Sequence, residues 1–210
     1  MSAYFSVGSQ SQPADGESPV FTQVLTPIFN LFRKSRNRPL IDRLHGEIMA
    51  GARQPVFFVE YGVADTLEGR FEILCLVSTI ALRRMSALPE PGPGIAQEVT
   101  DSLFAHFDVA LREIGIGDVT VPKRMKKMAS GYMGRSSAYL AGFSDHEAGK
   151  AEALPLAIAR NVFGDEAQAP AAHTQRLVRY ALAYAEALDD LSVDNLLIGP
   201  LPVLDAQSVS

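Results

Sequence analysis

Four cationic side chains stand within five positions of the stretch GDVTVPKRMKKMASGYMGR, which spans residues 117–135. These four, with the arginine that ends the stretch, are Lys123, Arg124, Lys126, Lys127 and Arg135. Lysine and arginine at this density either bind carboxylates or phosphates of a partner or remain in water as the solvated face of a helix. The chain as a whole is acidic, with a net charge of −5, so the basic cluster is a local feature. We interpret it as a candidate partner-binding face, with a merely solvated face as the alternative.

A second group of charged residues, Asp65, Arg70 and Glu72, brackets the start of a strongly apolar segment. An acid near the beginning of a helix is favoured by the helix dipole, and an arginine nearby can bridge to a carboxylate. We expect structural ion pairs here, and a contact with a partner is the alternative interpretation.

Aromatic and basic side chains follow one another in the segment VFTQVLTPIFNLFRKSRNR, residues 20–38. The pattern is typical of a helix that lies on an anionic membrane surface, and equally of a terminal helix packed into a core. The candidate membrane-facing residues are Phe29, Phe32, Arg33 and Lys34.

Residue patterns for catalysis or metal binding are missing from the sequence. None of the histidines has a second histidine or cysteine three or four residues away, the spacing that places two metal ligands on one helix face. No nucleophile elbow and no phosphate-binding loop motif occurs. The sequence therefore predicts no catalytic residue, no metal site and no cofactor. The single cysteine, Cys75, lies in an apolar run and is expected to be a buried, inert thiol.

Helical periodicity dominates the chain and predicts an all-α fold in one compact domain. The segment PVFFVEYGV is interpreted as an extended connection, because no partner strand is evident. We expect a flexible segment over 1–18, a helical domain over 19–197 and an irregular tail over 198–210. The predicted helices are 20–35, 39–52, 66–88, 95–115, 122–143, 146–162 and 171–192.

The location expected from sequence is the cytoplasm. The N-terminal residues MSAYFSVGSQSQPADGES lack the basic and apolar regions of a secretory signal. The longest nearly uncharged apolar run, residues 73–82, is about half of the ~20 residues that cross a bilayer. Any membrane contact is therefore expected to be peripheral.

Two blocks of sequence resemble the ubiquinol–cytochrome c chaperone family. They are FFVEYGVADTLEGRFEILCLV at 57–77 and LFAHFDVALREIGIGDVTVPKRMKKMASGYMGRSSAY at 103–139. The resemblance extends from about Leu31 to Tyr139 and fades in the C-terminal third. It implies a non-catalytic assembly factor that binds newly made cytochrome b and assists assembly of the ubiquinol–cytochrome c reductase, respiratory complex III. It also implies a ribosome or a small co-chaperone as further partners. Peripheral contact with the cytoplasmic face of the inner membrane is expected from the aromatic and basic pattern of residues 20–38.

Two other functions compete with the chaperone interpretation. A ribosome- or RNA-associated binding module would use the basic clusters, but these lack interleaved stacking aromatics in a chain that is acidic overall. An enzyme acting on a respiratory lipid or quinone would need a polar site, and none is evident. DNA is not an expected partner.

Overall fold

The computed structural model describes residues 37–113, 117, 120–164, 169–202 and 204–209. Within these ranges the chain forms eight α-helices, one three-residue 3-10 helix and no strand, which confirms the predicted all-α class. The helices are α1 Arg38–Ala52, α2 Val56–Val59, α3 Leu67–Ala87, α4 Gly92–Glu113, α5 Val121–Glu147, α6 Ala153–Phe163, α7 Ala171–Asp189 and α8 Val193–Ile198, and the 3-10 helix is Ala206–Ser208.

Helix α3 is the centre of the fold. Thr66 caps its N-terminus by accepting a hydrogen bond from the N–H of Gly69 at 3.1 Å. Every residue from Glu72 to Leu82 is buried, so α3 has no solvent face over three turns. Helices α1, α4, α5, α6 and α7 all pack against it. Helix α3 is therefore the central helix of the fold.

The helices around α3 bury one face each. On α4 the buried face contains Ile95, Val99, Leu103, Phe107 and Leu111, at the spacing that the sequence predicted. Helices α5 and α6 approach closely at Gly142, where a Cβ atom would lie 2.8 Å from the Cα of Leu154. A glycine at this point therefore lets the two backbones touch.

Three features of the predicted helix pattern are wrong for local reasons. The stretch 55–63 is not extended, because Val56 and Phe57 bury one helical turn, α2, against the core. Helix α5 continues to Glu147, and the next helix begins at Ala153 rather than at residue 146; Gly149, with φ of +81°, lies between them. The predicted helix 171–192 ends at Asp189, and the additional α8 begins after Ser192. The predicted helix 20–35 lies outside the described residues.

The C-terminal segment, which we define as the described residues 199–202 and 204–209, is irregular apart from its 3-10 turn. Its residues Leu201 and Ala206 are buried in the main core. The 3-10 turn contacts α2. The irregular backbone expected for the tail is confirmed, and the segment is packed onto the helical body.

Candidate functional site

The basic cluster, defined as Lys123, Arg124, Lys126 and Lys127, forms the solvent face of the first two turns of α5. All four side chains are exposed. The opposite face is anchored by Val121, which is buried, and by Met125 and Met128, which pack half-buried against the core. The helix is therefore amphipathic in the way that its sequence predicts, and its cationic face is accessible.

No charge within the described part of the chain neutralises the basic cluster. The ion pairs and side-chain hydrogen bonds of that part include none of its four members. The first turn of α5 contains no acidic residue either. Cations at a helix N-terminus oppose the positive end of the helix dipole. The cluster therefore does not serve the stability of its own helix.

Two exposed apolar side chains lie on α3 and α4. Val109, near the end of α4, is 52% exposed, and Leu67, the first residue of α3, is 67% exposed. The end of α4 adjoins the start of α3, since the rings of Phe71 and Phe107 lie 5.7 Å apart. Single exposed apolar side chains are normal on protein surfaces, so the case for partner binding rests on the basic cluster.

Arg135 occupies a different environment from the basic cluster, although both belong to α5. Its guanidinium donates two hydrogen bonds to the carboxylate of Glu72 on α3 and one of 3.1 Å to the carbonyl of Gly131. It also lies 5.4 Å from the ring centre of Phe71. The hydrogen bonds to Glu72 raise the pKa of Arg135. The structure thus joins two residues that the sequence had placed in separate candidate groups.

Asp65 and Arg70 form the ion pair expected at the start of α3. The Arg70 Nε lies 2.7 Å from the Asp65 carboxylate, and both side chains are at least half exposed. The guanidinium also lies 5.0 Å from the ring centre of Phe58. An exposed pair of this kind contributes little to stability.

A buried polar layer between α3 and α5 was not foreseen from the sequence. The hydroxyls of Ser78 and Tyr132 lie 3.0 Å apart, and those of Thr79 and Ser136 lie 2.8 Å apart. Burial raises the pKa of Tyr132 to about 12. The only signal available in the sequence is the presence of hydroxyl residues at positions where both helices otherwise bury apolar ones. These pairs fix how the two helices are aligned.

The histidines and the cysteine show no catalytic arrangement. His45 and His106 pack edge to face with ring centres 5.3 Å apart, and the Nδ1 of His45 lies 2.7 Å from the Ser102 hydroxyl. Among the described residues, no cluster of three or more metal-ligating side chains occurs. Cys75 is fully buried, and burial raises the pKa of its thiol well above the usual value. The thiol is therefore buried, as expected, and unreactive in the folded protein.

The candidate membrane-facing residues Phe29, Phe32, Arg33 and Lys34 lie outside the described residues. In the part of the chain that is described, no helix has the length and apolarity needed to cross a bilayer.

Comparison with known proteins places this fold in a family. The family model for the ubiquinol–cytochrome c chaperone matches residues 59–203. The chain is also similar to the crystal structure of the Cbp3 homolog from Brucella abortus, with 37% identity and a TM-score of 0.73 over 88% of this chain and 100% of that one. No curated protein matches. The match continues to residue 203, so the expectation that the resemblance fades after Tyr139 was wrong. The chain belongs to the ubiquinol–cytochrome c chaperone family.

Proposed function

We propose that this protein is a non-catalytic assembly chaperone that binds newly made cytochrome b and assists assembly of the ubiquinol–cytochrome c reductase, respiratory complex III. Membership of the chaperone family supports the role in assembly. The observation that carries a binding role for this chain is the basic cluster, four exposed and unpaired cations on the first turns of α5. A client or assembly partner with acidic groups complements that surface.

The proposal is tested by deleting the gene from a host that makes the complex. We expect the absorbance of assembled cytochrome b to fall while the transcripts of the complex persist, and a plasmid copy of the gene to restore the signal. Recovery of the tagged protein from detergent-solubilised membranes should bring cytochrome b with it. Normal amounts of assembled complex in the deletion strain would contradict the proposal.

Contact with the cytoplasmic face of the inner membrane is a further part of the proposal. It is supported by the aromatic and basic residues Phe29, Phe32, Arg33 and Lys34. Removal of residues 1–36 should release the protein from vesicles of anionic lipid and leave its melting temperature unchanged. A large fall in the melting temperature would show instead that this segment stabilises the core.

A ribosome-associated role is the second candidate, and the same unpaired cations favour it, since they bind RNA phosphates as readily as carboxylates. Co-sedimentation with ribosomes that disappears in the charge-reversed variant described below would support this role. Co-sedimentation that is unchanged in that variant would show that the basic cluster does not bind the ribosome.

A further inference from the structure

Polar side chains of α1 and of the residues on either side of α2 hold the C-terminal segment by its backbone. Arg43 donates hydrogen bonds to the carbonyl oxygens of Leu196, at 2.7 Å, and of Gly199. Glu47 accepts a hydrogen bond of 3.1 Å from the N–H of Leu201. These contacts lie on one face of α1, one helical turn apart.

Gln54 and Tyr61 continue the same row of contacts. The amide of Gln54 donates to the carbonyl of Leu204 at 3.0 Å and accepts from the N–H of Ala206 at 2.8 Å. The hydroxyl of Tyr61 lies 2.7 Å from the carbonyl oxygen of Ala206 and 2.8 Å from that of Val209. The amide of Gln54 thus bonds to both a donor and an acceptor of the segment, as a neighbouring β-strand would.

All of these hydrogen bonds reach backbone atoms, which every polypeptide carries. Among the described residues of the segment, Leu201 and Ala206 are fully buried, and Leu204 and Val209 pack half-buried against the core. Pro200, Asp205 and Gln207 point into solvent. Recognition by main-chain hydrogen bonds with a pocket for an occasional apolar side chain is how proteins bind extended peptides of varied sequence.

The segment also leaves room beneath it. A small open pocket lies between Glu47, Gly51, Tyr180 and Tyr184 of the helical body and the segment residues Leu201, Pro202 and Leu204. The pocket has room for about one water molecule, so the segment otherwise packs closely on the helical body.

We propose that the groove formed by Arg43, Glu47, Gln54 and Tyr61 binds an extended segment of an unfolded client polypeptide, and that the C-terminal segment occupies the groove until a client displaces it. The client as the natural occupant rests on the proposed function; binding of a peptide by the groove does not. A tethered segment competes at an effective concentration on the order of millimolar, which keeps the groove covered when no client is present.

The first test uses the full-length protein with Leu201→Asp and Ala206→Asp, which prevents the segment from seating, because a charge cannot be buried unpaired. The probe is a fluorescent peptide of residues 199–210, followed by anisotropy. We expect this variant to bind the peptide at least ten times more tightly than the parent protein. A second peptide carries serine at the exposed positions 200, 205 and 207 and keeps the other residues; it should bind within about threefold of the first.

Replacing one glutamine in the groove and one outside it tests whether the peptide binds in the groove. Gln54→Ala, added to the double variant, should weaken peptide binding at least tenfold. Gln97→Ala should leave it unchanged, since Gln97 bonds to Asp101 on α4, away from the groove. Binding that is insensitive to Gln54, or that is confined to the natural tail sequence, would overturn the proposal; the latter result would show a site for the protein's own tail only.

A second test uses the unaltered protein, so it stands even if the double variant fails to fold. Hydrogen exchange of the Leu201 and Ala206 amides should be at least one hundred times faster than that of the α3 amides, because the segment leaves the groove while the core stays folded. Exchange of all these amides at one common rate would make the segment a permanent part of the core and would overturn the proposal. Peptide binding together with normal complex III in the deletion strain would overturn the proposed function and leave the groove as a peptide site.

Discussion

Glu72 of α3 and Arg135 of α5, 63 positions apart in the chain, form an ion pair with two hydrogen bonds. The side chain of Glu72 is only 9% exposed and that of Arg135 is 27% exposed. Phe71 covers the guanidinium on one side. Because the carboxylate is buried, its charge depends on this single partner, and the pair fixes the position of α5 on α3.

Replacing Arg135 should cost far more stability than replacing an arginine on the surface. Arg135→Met leaves the buried Glu72 charge without a partner, so we expect a loss of about 3–5 kcal/mol in the free energy of unfolding. The control is Arg70→Met, which breaks the exposed pair with Asp65 and should cost ~0.2–1 kcal/mol. Urea denaturation of both variants measures the difference. Equal losses would show that water reaches Glu72 once Arg135 is removed, so that its carboxylate needs no partner.

Reversing the charge of the basic cluster should separate binding from stability. Replacement of its four residues by glutamate removes cations that oppose the dipole of α5, so the melting temperature should stay the same or rise slightly. Recovery of cytochrome b and restoration of complex III should fall at least tenfold, because like charges now face an acidic partner. A variant that binds cytochrome b and restores the complex as well as the parent would show that the cluster is only a solvated helix face.

Two exposed arginines outside the cluster provide the control for charge reversal. Arg53→Glu combined with Arg179→Glu changes the net charge by as much as Lys126→Glu combined with Lys127→Glu. Arg53 and Arg179 are exposed on α1's end and on α7. Only the lysine pair should lower client recovery; an equal effect would indicate a response to net charge.

Two glycines of the same helix should respond in opposite directions to alanine. A Cβ on Gly142 would lie 2.8 Å from the Cα of Leu154, so Gly142→Ala must separate α5 from α6, and we expect a loss of about 1–3 kcal/mol. Gly134 is exposed and meets no atom within 4 Å, so Gly134→Ala should gain up to about 1 kcal/mol from helix propensity. Thermal unfolding gives both values. A neutral Gly142→Ala would show that α6 shifts freely.

His45 should make the protein less stable in mild acid. Burial, then the neighbouring His106, lowers the pKa of His45 from 6.5, while Asp42 raises it and Arg53 lowers it further. The unfolded chain therefore binds this proton more tightly than the folded one. The stability that His45 contributes is complete above its unfolded pKa and is lost as the pH falls from there towards the lower folded pKa.

The measurement is the free energy of unfolding from about pH 7 to about pH 5, for the parent and for His45→Gln. The parent should lose more stability than the variant over this range. Parallel profiles would show that His45 keeps an ordinary pKa in the fold.

Features that depend on neighbouring residues were predictable, and features that depend on distant ones were not. The length of α3 and the exposure of the basic cluster follow from apolar and charged residues only a few positions apart. The Glu72–Arg135 pair and the contact of His45 with His106 join separate helices, and no local pattern encodes them. The turn at Gly149 was available in the sequence, but a single glycine between two helical patterns does not by itself say where each helix ends.

Because Cys75 is buried, the reactivity of its thiol reports how often the structure around α3 opens. Its thiol is the only one in the chain, lies inside α3, and has a pKa raised by burial, so a thiol-specific reagent meets no reactive group in the native state. Alkylation occurs only after an event that exposes α3. The labelling rate therefore counts such events without denaturant, and it can compare full-length variants in a cell extract as readily as in a purified sample.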